Sequence, residues 1–286
     1  MKRVSGMVTI AKSLTSTIKL NDGNDMPMFG LGVWQANSGS NGPAEKAVVY
    51  ALQNGYKMID TATLYGNQSD VGEGLRKSGV KREDVFLVTK LWTNGYESCR
   101  DEFMSSLKQL DSGYIDLYLI HSPSGGQVLE SYKAMMEFQQ QGLVRSIGVS
   151  NFGVQHLEGM KKAGVPTPTV NQIELHPWMK RTELVTYCRD NGIAVMGYSP
   201  LVKAERLKDP TIVSVAKKVG KTVGQVLIRY SVQMGYITIP KSEKPARIIE
   251  NSQVFDWSIP QEEMATLNSL PENSCTWNPA LSAWKG

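Results

Sequence analysis

The feature that most constrains this chain is an alternation: eight short β-branched or aromatic runs, each followed by a longer amphipathic segment. The runs are GLGVW from Gly30, KMIDTA from Lys57, VFLVTKLW from Val85, IDLYLIHSP from Ile115, VRSIGVSNF from Val144, TPTVNQIELHP from Thr167, IAVMGYSPL from Ile193 and ITIPKS from Ile237. Strand followed by helix over a whole chain predicts parallel pairing through right-handed crossovers. Eight units of this kind close naturally into an α/β (β/α)8 TIM barrel, although periodicity alone leaves a doubly wound open sheet as the alternative. The 286 residues suit one barrel domain spanning 1–286.

Helix punctuation supports the alternation. Thr222 is expected to cap a helix with Val223, Val226, Leu227 and Tyr230 on one face and Gly235 just past its end. The segment from Thr182 turns Leu184, Val185 and Cys188 inward and stops at Gly192. Ahead of the first unit, STIKLNDGNDMPMFG reads as a β-hairpin turning at Asn21–Asn24 and plugging one barrel end. The irregular tail from Leu267 to Gly286 carries Trp277 and Trp284 and is expected to drape over the surface.

Composition sets the surroundings. A net charge of +4, with basic and acidic residues interspersed, implies neither a nucleic acid nor an anionic membrane as partner. No segment is long and apolar enough to span a bilayer, and the start MKRVSGMVTIAK lacks the apolar stretch of a signal peptide. Cys99, Cys188 and Cys275 are odd in number and far apart, which fits reduced thiols in a cytoplasmic protein better than a disulfide framework or a zinc site.

Several chemistries are absent. Gly30-Leu-Gly32 does not continue to a third glycine, so the usual dinucleotide fingerprint is missing. No tyrosine has lysine four residues later, and there is no His-Glu-x-x-His, Gly-x-Ser-x-Gly or Walker loop. What remains is a set of polar residues terminating apolar runs, where a parallel barrel gathers side chains on one face: Asp60, then Tyr65, after the second run, Lys90 in the third and His121 ending the fourth. Singly, each has a bland explanation, as a helix cap, a loop side chain, a solvated lysine or a satisfied histidine. Together they interlock. A buried lysine needs a carboxylate, which Asp60 supplies. A phenol with a pKa of about 10 becomes a better acid beside an ammonium. A neutral imidazole can donate to a carbonyl oxygen as charge develops there.

The segments MPMFGLGVW, YKMIDTATLYGN, VTKLW, YIDLYLIHSP, IGVSNF, VNQIELHP, YSPL and IPKSEKPARIIENSQVFDW, in this order, resemble the aldo-keto reductase superfamily over nearly the whole chain. The resemblance implies the barrel, NADPH as cofactor, a small aldehyde or ketone as substrate, and Asp60, Tyr65, Lys90 and His121 as a catalytic tetrad with Tyr65 as proton donor. It also implies Ser150, Asn151 and Gln172 at the nicotinamide carboxamide, Tyr198 stacked on its ring, and Ser199 and Leu201 as further cofactor contacts. Lys241, Ser242 and Arg247 would hold the 2′-phosphate, and Glu250 and Asn251 the adenine. Where the family often has Glu before that arginine, this chain has Ala246, a harmless change.

Two departures bear on substrate and cofactor. Trp-Pro usually follows the catalytic histidine, but here Ser122-Pro123 does, which is expected to open and polarise the pocket floor; Trp34, Trp92 and Trp178 remain as candidate walls. The short loop LVKAERLKD lacks a Gly-Ser-rich insert over the pyrophosphate, so quick cofactor release is expected. His176 is expected to be structural, and His156 to lie on a helix surface. The leading reading is a monomeric NADPH-dependent carbonyl reductase without a metal. A steroid- or prostaglandin-type enzyme is the alternative, and an NADPH-binding regulatory subunit a more distant one. Reduction of a ring double bond is disfavoured, because relatives that do this carry Glu in place of His121.

Overall fold

Each of the eight runs forms a strand, and each strand is followed by helix. The computed structural model describes residues 8–286; residues 1–7, part of the start on which the expectation of no signal peptide rests, lie outside the described residues. A hairpin of β1 (Thr17–Lys19) and β2 (Asp25–Pro27) comes first. The barrel strands are β3 (Leu31–Gly32), β4 (Met58–Asp60), β5 (Phe86–Leu91), β6 (Ile115–Ile120), β7 (Val144–Ser150), β8 (Val170–Glu174), β9 (Ala194–Tyr198) and β10 (Ile237–Thr238). Between β3 and β9 the crossovers carry α1 (Pro43–Gln53), α2 (Gln68–Lys77), α3 (Tyr96–Leu110), α4 (Val128–Gln140), α5 (Val154–Lys162) and α6 (Thr182–Asp190). After β9 come α7 (Pro210–Val219) and α8 (Val223–Gln233), and after β10 come α9 (Pro245–Ser252) and α10 (Gln261–Asn268).

The strands pair in parallel in chain order from β3 to β10. Parallel bridges from Phe29 to Thr238 and from Gly32 to Lys241 join the first strand to the last, so the sheet closes as a barrel and the doubly wound alternative is excluded. Thr222 caps α8, its hydroxyl accepting from the Gln225 amide at 3.1 Å while the Gln225 side chain accepts from the Thr222 amide. No helix among the described residues is long and apolar enough to cross a membrane.

Strand periodicity explains how the interior is layered. Alternate residues of a strand point to the same face, so Met58, Phe86, Val88, Leu117, Leu119, Val170 and Met196 form one buried cluster. The hairpin contributes Leu20 and Met26 to that cluster, which is how it stoppers one end. Gly148 is needed here: a Cβ would sit 2.7 Å from the Val170 carbonyl and 2.9 Å from Leu119 Cδ2. Two residues further along the same inward faces, the apolar run gives way to Asp60, Lys90, His121, Ser150, Gln172 and Tyr198.

The tail is more integrated than the sequence suggested. Trp284 packs so closely on α5 that a Cβ at Gly159 would lie 2.4 Å from its ring. His156 is buried, not on a helix surface: its Nδ1 accepts from the Gly153 amide at 2.8 Å, and its Nε2 meets the Ser282 carbonyl at 2.8 Å. The helical period could not reveal this, because the covering segment is 126 residues away in sequence.

Candidate active site

Lys90 is the centre of the polar layer. It is fully buried and uses all three of its N–H groups, to Asp60 Oδ1 at 2.6 Å, the Thr61 carbonyl at 2.9 Å and the Tyr65 hydroxyl oxygen at 3.1 Å. An ammonium has three donors and no acceptor, so the Tyr65 oxygen accepts from Lys90 and its own hydrogen is left to point elsewhere. The second Asp60 oxygen accepts from Gln172 Nε2 at 2.7 Å. Burial raises the Asp60 pKa and lowers that of Lys90, while the charge of each opposes the shift in the other.

For Tyr65, the expected shift is reversed. Burial and then the Asp60 charge push the phenol well above its ordinary value of 10. The physical reason is that burial strips the phenolate of its water and the nearby Asp60 carboxylate adds a like charge beside it. His121 moves down to about 3 through burial and then the Lys90 charge, so its ring is neutral throughout the ordinary pH range. His121 Nδ1 is buried without a partner, which leaves Nε2 as the nitrogen able to meet a ligand.

Tyr65 and His121 face a cavity of about 520 Å³. Ser150, Asn151, Gln172 and Tyr198 line it together with Ser199, Leu201, Lys241 and Arg247, and Asp60, Trp34 and Trp92 also contribute. The amide-bearing group is tightly tied together. Asn151 Nδ2 donates to the His121 carbonyl at 2.9 Å, Asn151 Oδ1 accepts from the Tyr198 hydroxyl at 2.7 Å, and the Ser150 hydroxyl donates to the Gln172 carbonyl at 2.9 Å.

Some expected contacts fall outside the lining. Ser242, Glu250 and Asn251 sit beyond the cavity edge, with Ser242 Oγ accepting from the Lys244 amide and Glu250 accepting from the Thr222 hydroxyl at 2.5 Å. Trp178 is buried in a cluster with Val202, Ile212 and Leu227 and does not reach the cavity. Ser122 is corrected as well: it is buried, its hydroxyl accepts from the Ser124 amide at 3.0 Å, and it does not line the cavity.

The wall near His121 is instead apolar. Trp277, from the tail, lies 5.9 Å from the Trp92 ring and 6.4 Å from the His121 ring, and Leu64 and Thr276 join the same lining. Sequence reasoning missed these residues, together with Lys203, which also lines the cavity with its ammonium 5.0 Å from the Trp34 ring. Only the bare presence of Trp277 in an aperiodic tail pointed toward them.

A closed (β/α)8 barrel with a carboxylate, a lysine, a phenol and a neutral imidazole at the carboxyl ends of adjacent strands defines the class of this protein as a barrel enzyme. Residues 28–272 match the Aldo/keto reductase family, and the chain belongs to that family as an oxidoreductase. It is 42% identical over 260 residues to the glyoxal reductase of Bacillus subtilis (strain 168), covering 90% of this chain and 94% of that one. It is 40% identical over 261 residues to the methylglyoxal reductase of Escherichia coli (strain K12), covering 90% and 94%. Among solved structures, an aldo/keto reductase from Brucella melitensis superposes with a TM-score of 0.83 at 44% identity, covering 91% of this chain and 99% of that one. A Bombyx mori aldo-keto reductase in complex with NADP gives a TM-score of 0.82 at 36% identity, covering 90% and 92%.

Proposed function

We propose that this protein reduces aldehydes or ketones to alcohols with NADPH, and that Tyr65 gives the proton. The observation that carries this reading is the exhaustion of the Lys90 donors: with the third N–H on the Tyr65 oxygen, the phenol hydrogen is free to face the cavity. The donor set also fits the cofactor. Lys241 and Arg247 offer two cations to a phosphate, and Tyr198, with the amides beside it, offers a ring and hydrogen-bonding groups to nicotinamide, all on the lining of one cavity. When bound, NADPH supplies hydride to the carbonyl carbon.

The chain's own groups handle the oxygen. Tyr65 stays protonated at neutral pH and passes its proton as negative charge builds on the carbonyl oxygen. Lys90 stabilises the resulting phenolate through the hydrogen bond it already makes, and Asp60 holds Lys90 in place. His121, neutral and with its Nδ1 buried without a partner, donates from Nε2 to the same oxygen, fixing the substrate.

Glyoxal and methylglyoxal reductases among the relatives support small dicarbonyl substrates. The Trp92, Leu64 and Trp277 wall supports a second reading, aldehydes with an aromatic body. On the same proposal the chain is one barrel domain, monomeric and cytoplasmic; light scattering of the pure protein checks the first state. A panel of methylglyoxal, glyoxal, 4-nitrobenzaldehyde, sugar aldehydes, quinones and steroids, assayed by NADPH oxidation, tests the activity. Turnover of aldehydes is expected; preference for steroids or prostaglandin-type ketones would move the assignment to that alternative, and tight NADPH binding without any turnover would make the protein a regulatory subunit.

A further inference from the structure

Glu174, at the carboxyl end of β8, is fully buried, yet no part of the proton-transfer machinery touches it. Its carboxylate is occupied by four donors. Oε1 accepts from His176 Nε2 and from the Cys275 amide, both at 2.7 Å, and Oε2 accepts from the Ser274 and Thr276 hydroxyls, both at 2.5 Å. Against burial, which raises the pKa, these hydrogen bonds hold the Glu174 carboxyl below its ordinary range, so it is a carboxylate and can only accept. Three of the four donors belong to three consecutive residues of the tail, about 100 positions away in sequence.

That tail segment leads straight into the cavity. Thr276 lines it and places its hydroxyl 3.3 Å from the Tyr198 hydroxyl. Trp277 follows, 44% exposed, with its ring against Trp92 and His121. Supporting ties occur nearby, where Glu272 accepts from the Lys180 and Arg181 amides and the Asn273 amide donates to the Trp178 carbonyl at 2.5 Å.

We propose that Glu174 is a positioning residue that fastens residues 274–276 to the end of β8 and so sets Trp277 as a fixed wall of the pocket, selecting aldehydes with a planar, apolar body. The substrate half of this proposal rests on the carbonyl-reduction reading. The fastening half does not. A charged acceptor with several short donors makes a strong local tie, whereas Trp277 alone, on an aperiodic tail, would have to be ordered by each arriving substrate.

The test combines amide hydrogen exchange with a double-mutant cycle. Glu174→Ala should speed exchange of the Cys275 and Thr276 amides by at least tenfold while the β4–β6 amides stay protected, and should raise KM for 4-nitrobenzaldehyde roughly tenfold, about the worth of one hydrogen bond to a charged group. Trp277→Ala should raise that KM by a similar factor, and the double variant should rise no further, because Glu174 acts through Trp277. If Glu174→Ala fails to fold, Ser274→Ala removes one donor from the tail side and should move both readouts in the same direction by a smaller factor. Unchanged tail exchange in a folded variant, or fully additive effects on KM, would overturn the proposal. If the parent protein turned over no carbonyl, the reduction reading would fail by itself, and exchange would still decide the fastening.

Discussion

Two lysines at the same barrel mouth show how differently one residue type is used. Lys90 is completely buried and has every N–H committed at 3.1 Å or less. Lys241, at the rim after β10, has a side chain 37% exposed and, among the described residues, one loose ionic partner, Glu243, at 3.4 Å. The first is preorganised, its place set before any substrate arrives; the second is screened and adaptable, suited to a mobile anionic ligand. On the proposed function, proton transfer uses the lysine whose strands leave it no freedom, and the anionic part of the cofactor meets the lysine at the rim that keeps some.

The largest effect should come from breaking the buried pair. Lys90→Met strands the Asp60 carboxylate and should cost about 3–5 kcal/mol of stability, with reduction falling at least a thousandfold; denaturant melts and steady-state rates measure both. If Lys90→Met were as stable as the parent, Lys90 would resemble Lys241 more than this account permits. At the rim, Arg247→Ala should weaken NADPH roughly 10- to 100-fold while changing NADH binding by less than about twofold, as read by fluorescence titration. Equal losses for both cofactors would remove Arg247 from the 2′-phosphate site.

A smaller effect is expected from pH. Because the folded pKa of His121 is lowered to about 3 from 6.5, the unfolded chain binds a proton at this site before the folded one does. Its contribution to stability is therefore intact above about pH 6.5 and lost as the pH falls toward 3. His121→Asn should flatten that part of the acid slope in stability, and kcat/KM of the parent should show no His121 inflection between about pH 5 and 8. The smallest effect belongs to the far end of the barrel. Lys19 and Asp25 pair at 2.9 Å with both side chains more than half exposed, and Lys19→Ala should shift Tm by less than about 2 °C.

The same division decided what could be read from the sequence. The eight strands and the four polar residues of the mouth were legible because inward-facing positions recur every second residue and polar groups interrupt the apolar runs where the barrel opens. The direction of the Tyr65 shift was not legible, because it depends on how deeply the folded chain buries the phenol and on the Asp60 charge beside it, neither of which spacing along the chain carries. Nor was the tail. Trp277 reaches the pocket through contacts of Ser274, Cys275 and Thr276 with a carboxylate on a strand about 100 residues earlier, and no local period encodes such a contact. Ser122 suggested a polar floor for a related reason: its buried position and its bond to the Ser124 amide are products of the loop, not of its side-chain type.

The central claim, that Tyr65 delivers the proton from a fixed position over Lys90, is tested most directly by the single-turnover rate of hydride transfer in Tyr65→Phe, with NADPH affinity measured on the same preparation. The account predicts a rate at least a thousandfold below the parent, with NADPH binding changed by less than about twofold. A variant that transfers hydride within about tenfold of the parent would contradict it.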